Sequence, residues 1–378
     1  MANGQNEVVV VDGVDAIEWW APALDELCAA AGAPITARAE WLTCWARQHV
    51  DWLPWGVMVW RSDVLVAAAL LARRQVRGVS RVTMLGQGQS DYACLPCRDG
   101  AAAECLADGI VAALRGLHRP WTVHLAQLPA GDPVLAVLAG RLRCSVVEPG
   151  DPSPFVRFAP GEDLRPLVRR NAKKITARAR NRLVRENVHS TVQRTSDVEG
   201  VTALLPALAG VRAARDIHLG RRSDHLDPAA REFWFEVLTQ LARSGSLEVT
   251  TLRLNGRLAA YAVALLDSSA YRVWDTRIQP ELREYAPGHL LRDALLEQLH
   301  VDGRFSEYDT MRGTEPYKSA VASELREAAE LRAWSSPLLQ MPRRLRREAA
   351  ALRDRHTYLV KLDAMLRGHQ TVSGGART

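Results

Sequence analysis

Two hairpins constrain this chain more than anything else in it. The segment LEVTTLRL runs into Asn255-Gly256 and returns as RLAAYAVALL, two apolar strands joined by residues that accept positive φ. In the first half, WGVMVWR, Ser62-Asp63 and VLVAAALLARR make the same arrangement. The order of elements around each hairpin repeats as well. Two helical patterns precede it, at 14–30 and 38–48 in the first half and at 198–215 and 228–244 in the second. A third strand, a loop, a helix and a fourth strand follow, at 81–86, 101–117 and 122–128, and again at 271–278, 287–300 and 307–311. Hairpins give antiparallel pairs and a strand, helix, strand crossover gives a parallel one. Each half therefore predicts a mixed twisted sheet flanked by helices, an α/β (α+β) chain of two similarly ordered lobes.

At 378 residues the chain exceeds what one hydrophobic core usually organises, and 47% hydrophobic residues can fill two. It has no run of eighteen apolar residues, and its first twenty residues, MANGQNEVVVVDGVDAIEWW, carry acidic side chains where a signal peptide carries basic ones. The expectation is a soluble cytoplasmic protein without a membrane span, monomer or homodimer. Six cysteines lie in the first half, and Cys94-x-x-Cys97 lacks a second pair, so reduced thiols are expected and no metal. The formal charge of +6 is modest and does not by itself indicate nucleic acid.

Chemistry concentrates between Arg272 and Val321. Pro287-Gly288 opens an apolar helix whose first-turn N–H groups lack intrahelical partners, an end that suits a phosphate. The short strand after that helix ends in Arg312, Gly313, Glu315, Tyr317 and Lys318, and reactive groups gather where strands end. The corresponding first-half loop, GQGQSDYACLPCRDG, lacks the Pro-Gly turn and the third glycine of a dinucleotide fingerprint. Walker, His-Glu-x-x-His and Gly-x-Ser-x-Gly motifs are absent.

The pairing of PGxLL with a following D-x-x-R-G-x-E-x-Y-K resembles the BioF2-like (CelD-like) acetyltransferase domain, a branch of the GNAT superfamily related to FemABX transferases. AEWLTCWARQH at 39–49, Ser90-Asp91-Tyr92 and ARARNRLVREN at 177–187 resemble the same family in the same order, so the likeness spans about residues 35–322. The chain departs from it at Gln279-Pro280, where Asp-Pro is usual, and after Lys318, where an aromatic is replaced by Ser319. The resemblance implies tandem GNAT-like lobes and an acyltransferase using acetyl-CoA or another acyl-CoA. The acyl group would pass by direct attack to an amine or hydroxyl of a small metabolite, sugar or envelope precursor. Two alternatives stand beside it: a FemABX-like transferase fed by aminoacyl-tRNA, and a non-catalytic GNAT-like binding module.

For a thioester donor, the resemblance maps the pyrophosphate to the backbone around Ala286, Pro287, Gly288, His289 and Leu290. An N–H near the end of the 271–278 strand would face the developing oxyanion. Glu315 and Asp275 compete as general base, each with a structural ion pair as its alternative role, and Tyr317 is the candidate acid for the leaving thiolate. Arg312 and Lys318 suit holding an anion or the loop, and Asp91-Tyr92 would meet the acceptor across an interlobe cleft.

Between the lobes, Arg169 to Arg185 holds eight basic residues and no acid. Ile175, Ala179 and Leu183 make an apolar stripe, so a helix lying on the lobes is expected, with Arg178 and Arg182 toward an anionic substrate or solvent. An amphipathic helix is expected at 342–367, before a disordered tail. The expected domains are a first lobe at 1–160, the basic connector at 161–190, a second lobe with the acyl-CoA site at 191–335, and the C-terminal helix and tail at 336–378.

Overall fold

The computed structural model describes residues 5–158, 170–223, 226, 228–319, 321 and 324–341, so the helix expected at 342–367 lies outside the described residues. The first half runs β1 (Glu7–Asp12), α1 (Val14–Trp19), α2 (Ala21–Ala30), α3 (Ala39–Gln48), β2 (Leu53–Arg61), β3 (Val64–Val76), β4 (Val79–Met84), α4 (Gly100–Arg115), β5 (Trp121–Pro129), α5 (Pro133–Arg141) and β6 (Ser145–Pro149). Ser62 and Asp63 both take positive φ, which is what closing β2 onto β3 in two residues requires. The pattern expected as one helix at 14–30 is two. Trp20 ends α1, and Pro22 occupies the first turn of α2, where its missing N–H costs nothing.

β7 (Ser153–Arg157) and the connector helix α6 (Arg170–Arg185) lead to the second half: β8 (Ser190–Thr195), α7 (Val198–His218), α8 (Pro228–Arg243), β9 (Leu247–Leu254), β10 (Arg257–Leu266), β11 (Ala270–Ile278), α9 (Pro287–Asp302), β12 (Glu307–Asp309), α10 (Pro316–Ser319), β13 (Glu324–Arg326) and β14 (Ala328–Trp334). Asn255 and Gly256 are again both at positive φ in the hairpin turn.

The strands form two seven-stranded sheets, ordered β1-β2-β3-β4-β5-β14-β6 and β13-β7-β12-β11-β10-β9-β8. The two orders superpose element for element, with the β4–β5 and β11–β12 pairs parallel and their neighbours antiparallel. The lobes also exchange a strand. β7, inside the stretch expected as the first lobe, pairs with β12 and β13, while β14, inside the stretch expected as the second, pairs with β5 and β6. Neither sheet is complete without a strand from beyond the connector.

A buried cluster joins the lobes: Trp41, Trp45 and Tyr92 of the first pack with Leu238, Tyr261 and Met311 of the second. Each large side chain so buried contributes about 1.5–3 kcal/mol, so separating the lobes would expose core rather than a wet interface. The outer faces have their own cores, under α4 and α5 in one lobe and under α9 and α6 in the other. α6 lies on α9, but through Ala172, Thr176, Ala179 and Leu183, with the Thr176 hydroxyl donating to Asp293 at 2.6 Å. Ile175, expected in that stripe, is exposed, because the helix is rotated so that a hydrogen-bonded threonine takes the buried place.

Candidate active site

The site begins where two parallel strands part. β11 and β12 pair from Ala270 opposite Glu307 to Arg272 opposite Asp309, after which β12 ends and β11 continues alone on that side. Trp274 is an extra residue in the β10–β11 ladder, a bulge that sets Asp275 opposite Val263. Beyond the strand, Ala286 adopts the left-handed conformation (φ 45, ψ 50) and starts α9 with Pro287 in its first turn and no side-chain cap. A Cβ on Gly288 would stand 3.2 Å from Ile278 Cγ2, so glycine keeps the helix start close to the end of β11.

The two lobes treat this helix start differently. In the first, Asp99 caps α4 by accepting from the Ala102 N–H at 2.8 Å while pairing with Arg61, so a carboxylate already occupies the anion position. In the second, α9 has no such occupant. The expected cradle is nonetheless narrower than the five residues from Ala286 to Leu290. The Ala286 N–H donates to the Arg283 carbonyl, His289 and Leu290 donate to the Ala286 carbonyl, and Pro287 has no N–H. Gly288 has the N–H without a backbone partner among the described residues, and the helix dipole adds to it. The position fits a phosphate through Gly288 rather than through a ring of amides. The His289 imidazole beside it has a buried Nδ1 without a partner among the described residues, and burial, with Arg292 adding to it, holds it below the usual histidine range.

Past β12 the chain turns through Met311 and Gly313, both at positive φ, into the polar cluster. Gly313 is needed there, since φ 103 is a conformation that residues with a Cβ rarely adopt. Lys318 is buried and reaches back to donate to the Arg312 carbonyl, with Glu315 Oε2 at 3.4 Å. Arg312 Nε in turn lies 3.3 Å from Asp91 Oδ1, across the lobe boundary. Burial raises the Asp91 carboxyl above its ordinary value, with Arg312 and Lys318 opposing. Tyr317 is half exposed, yet partial burial and the Glu315 carboxylate push its hydroxyl up to about 12, with Asp275 and Asp91 also felt there. Asp91, Asp275, Glu315, Tyr317, Arg312 and Lys318 thus share one neighbourhood.

Other expected residues stand differently. Asp275 is buried and already engaged: Arg277 meets Oδ1 at 2.7 Å, while Arg212 and the Tyr261 hydroxyl each donate to Oδ2 at 2.9 Å. Tyr92 does not line an open cleft. It is buried, its hydroxyl donates to both oxygens of Asp309 at 2.9 Å, and the Arg272 and Arg326 guanidinium groups lie 5.0 and 5.5 Å from its ring centre. The fully buried Asp309 needs those donors, which also include Arg326 at 2.6 Å and the Met311 N–H at 2.7 Å. Arg182 serves the protein itself, pairing with Glu284 at 2.7 Å and stacking on Tyr285, one residue before the Ala286 cap, while Arg178 is exposed on the outer face of α6.

Sequence reasoning missed Arg212, Tyr261, Arg277 and Trp274. A tyrosine inside RLAAYAVALL was the available signal, since a buried hydroxyl there demands a partner on a neighbouring strand. Arg212, on a helix far away in sequence, offered none. No group of three His, Cys, Asp or Glu able to hold a metal occurs among the described residues, and no described helix is long and apolar enough to cross a membrane.

Residues 170–319, from the start of α6 to the end of α10, match the model of the acetyltransferase (GNAT) domain. That stretch is a GNAT-type acetyltransferase domain, the domain of a transferase enzyme. No curated protein matches the chain. Among solved structures, FemX superposes with a TM-score of 0.62 at 12% identity, over 85% of this chain and 97% of its own. The C-terminal DUF2156 domain of a putative lysylphosphatidylglycerol synthetase from Agrobacterium fabrum gives 0.53 at 11% identity, over 84% and 92%. A conserved protein of unknown function from Bacteroides thetaiotaomicron gives 0.50 at 11% identity, over 84% and 95%. At such identities the likeness is one of fold, here a fold shared over both lobes.

Proposed function

We propose that the protein transfers an acyl group, in the simplest case acetyl, from acyl-CoA to an amine or hydroxyl of a small metabolite, sugar or envelope precursor. The supporting observation is the asymmetry of the helix starts: α4 is closed by its own Asp99, while α9 opens beside the parting of β11 and β12 with Gly288 N–H available. A donor phosphate at Gly288 would lay the thioester along the unpaired side of β11, where backbone N–H groups past Arg272 can meet the developing oxyanion. Tyr317 would protonate the departing thiolate, its raised pKa keeping the proton in place until the sulfur takes it. Glu315, half exposed beside Lys318, is a candidate base, Lys318 and Arg312 hold the loop, and Asp275 fixes β11 against α7 through Arg212.

A calorimetric titration with acetyl-CoA tests this reading. Binding to the wild type that is lost in Gly288→Glu supports it, and absence of binding of any acyl-CoA sinks it.

A second reading has its own observation. Arg170, Lys173, Lys174 and Arg178 face solvent on α6 without an acidic partner among the described residues, a surface that would suit an RNA-borne donor. Steep loss of donor affinity with added salt would favour it over CoA.

A further inference from the structure

We propose that Asp91, which the first lobe inserts into the second lobe's polar cluster, takes the proton from the attacking nucleophile. The inference rests on the acyl-transfer reading above and names the residue for its proton-abstraction step.

The loop that carries Asp91 is fastened on every side. Gly86 (φ 81) turns it so tightly that a Cβ would come within 2.6 Å of Ser90 Oγ, and that hydroxyl accepts from Trp41 Nε1 at 2.9 Å. Trp274 Nε1, at the bulge of β11, donates to the Gln89 carbonyl at 3.4 Å. On the other flank, Tyr92 is tied to Asp309. Asp91 is therefore held between two anchors on the second lobe, preorganised rather than waiting on a loop closure.

Its rivals are placed less well. Asp275 has both oxygens taken by two guanidinium groups and a phenol. Glu315 is half exposed, where water competes for its oxygens, and its contact is the Lys318 ammonium. Asp91 is sheltered and has one long contact with Arg312 Nε besides the Arg312 backbone N–H. The groups facing it are Arg312 and Lys318, which favour its charged form, and Asp309, which with burial disfavours it. Tyr317, the proposed acid, lies within electrostatic reach of Asp91 in the same cluster.

The step balances. An acceptor ammonium gives one proton to Asp91, and its freed electron pair forms the C–N bond at the thioester carbonyl. Collapse of the tetrahedral intermediate breaks the C–S bond, and the sulfur takes the Tyr317 proton. Tyr317 recovers a proton from the second N–H of the intermediate, and Asp91 returns its own to solvent. The products are an amide, a free thiol and one proton.

The test is the pH profile of thiol release from acetyl-CoA, with a panel of primary amines including ethanolamine, glucosamine and spermidine. Wild type, Asp91→Asn, Asp91→Glu and Glu315→Gln are compared. We expect Asp91→Asn to lose roughly 10²–10⁴ in kcat together with the rise in rate from acid pH, while Asp91→Glu recovers part of both. Glu315→Gln should retain the rise in rate from acid pH at whatever kcat it keeps, and loss of that rise in Glu315→Gln together with its retention in Asp91→Asn would overturn the assignment. Asp91→Asn turning over at the wild-type rate with an unchanged profile overturns the assignment alone, whereas a wild type that releases no thiol overturns the acyl-transfer reading beneath it. Should Asp91→Asn fail to fold, the wild-type Asp91 carboxyl can be followed by carbon NMR. Titration above 3.8 supports the role and titration at or below it refutes it.

Discussion

The Tyr92 hydroxyl donates to both carboxylate oxygens of Asp309, 2.9 Å from each, and so pins the end of the first lobe's active loop to the last residue of β12 in the second. Asp309 is completely buried and balanced by Arg272 and Arg326, so the pin is electrostatic as well as directional. Tyr92→Phe removes a donor from a buried acceptor and should cost about 1–3 kcal/mol of stability. Asp309→Asn leaves two guanidinium groups short of their counter-charge and should cost more, about 3–5 kcal/mol. Urea denaturation of the two variants measures both, and equal stability of wild type and Tyr92→Phe would show that the pin carries no weight.

At the start of α4, Asp99 supplies a second measurable effect. Its hydrogen bond with Arg61, followed by the Ala102 N–H, lowers its pKa from 3.8 to about 2. A carboxyl depressed on folding stabilises the protein above its unfolded pKa, and that contribution fades as pH falls through the folded value. Asp99→Ala should therefore lower stability by about 1 kcal/mol near neutral pH, mostly as a lost cap because the ion pair is well exposed to solvent. The gap in melting temperature should narrow as pH drops from 4 toward 2. A gap independent of pH would assign the effect to packing instead.

The alkaline side of the rate profile reports on Tyr317. With its hydroxyl pushed up to about 12, the acid stays protonated through the working range, so kcat should show no fall assignable to it below about pH 10. Tyr317→Phe should lower kcat by roughly a hundredfold or more while leaving donor affinity near wild type. Parallel losses in kcat and affinity would make Tyr317 a binding residue.

Much of the architecture was legible because local chemistry decides it. Asn255-Gly256 and Ser62-Asp63 turn where their φ values allow, and the helices around them follow their apolar periodicity. The exchanged strands were not legible. The stretch AAELRAW has the composition of a helix, and it is a strand because β5 and β6, about two hundred residues earlier in the chain, pair with it on both sides. The site divides the same way. Arg312, Glu315, Tyr317 and Lys318 announce themselves as polar residues crowding a strand end. Asp275's partners Arg212 and Tyr261 come from another helix and another strand, and no spacing along the chain connects them. At a strand end, Tyr92 reads as a cleft residue if the lobes pack as the family resemblance implies. Its burial depends on Asp309, more than two hundred residues away.

The most direct measurement is thiol release from acetyl-CoA by wild type and Gly288→Glu, followed side by side across amine and hydroxyl acceptors. The substitution would place a carboxylate at the open start of α9, where the donor phosphate is expected, beside Ile278. Acyl transfer at the start of α9 requires acceptor-dependent release by the wild type and loss of it in the variant, with both proteins folded. Equal release by both would remove the donor from α9, and no release by the wild type with any acceptor would contradict acyl transfer from CoA itself.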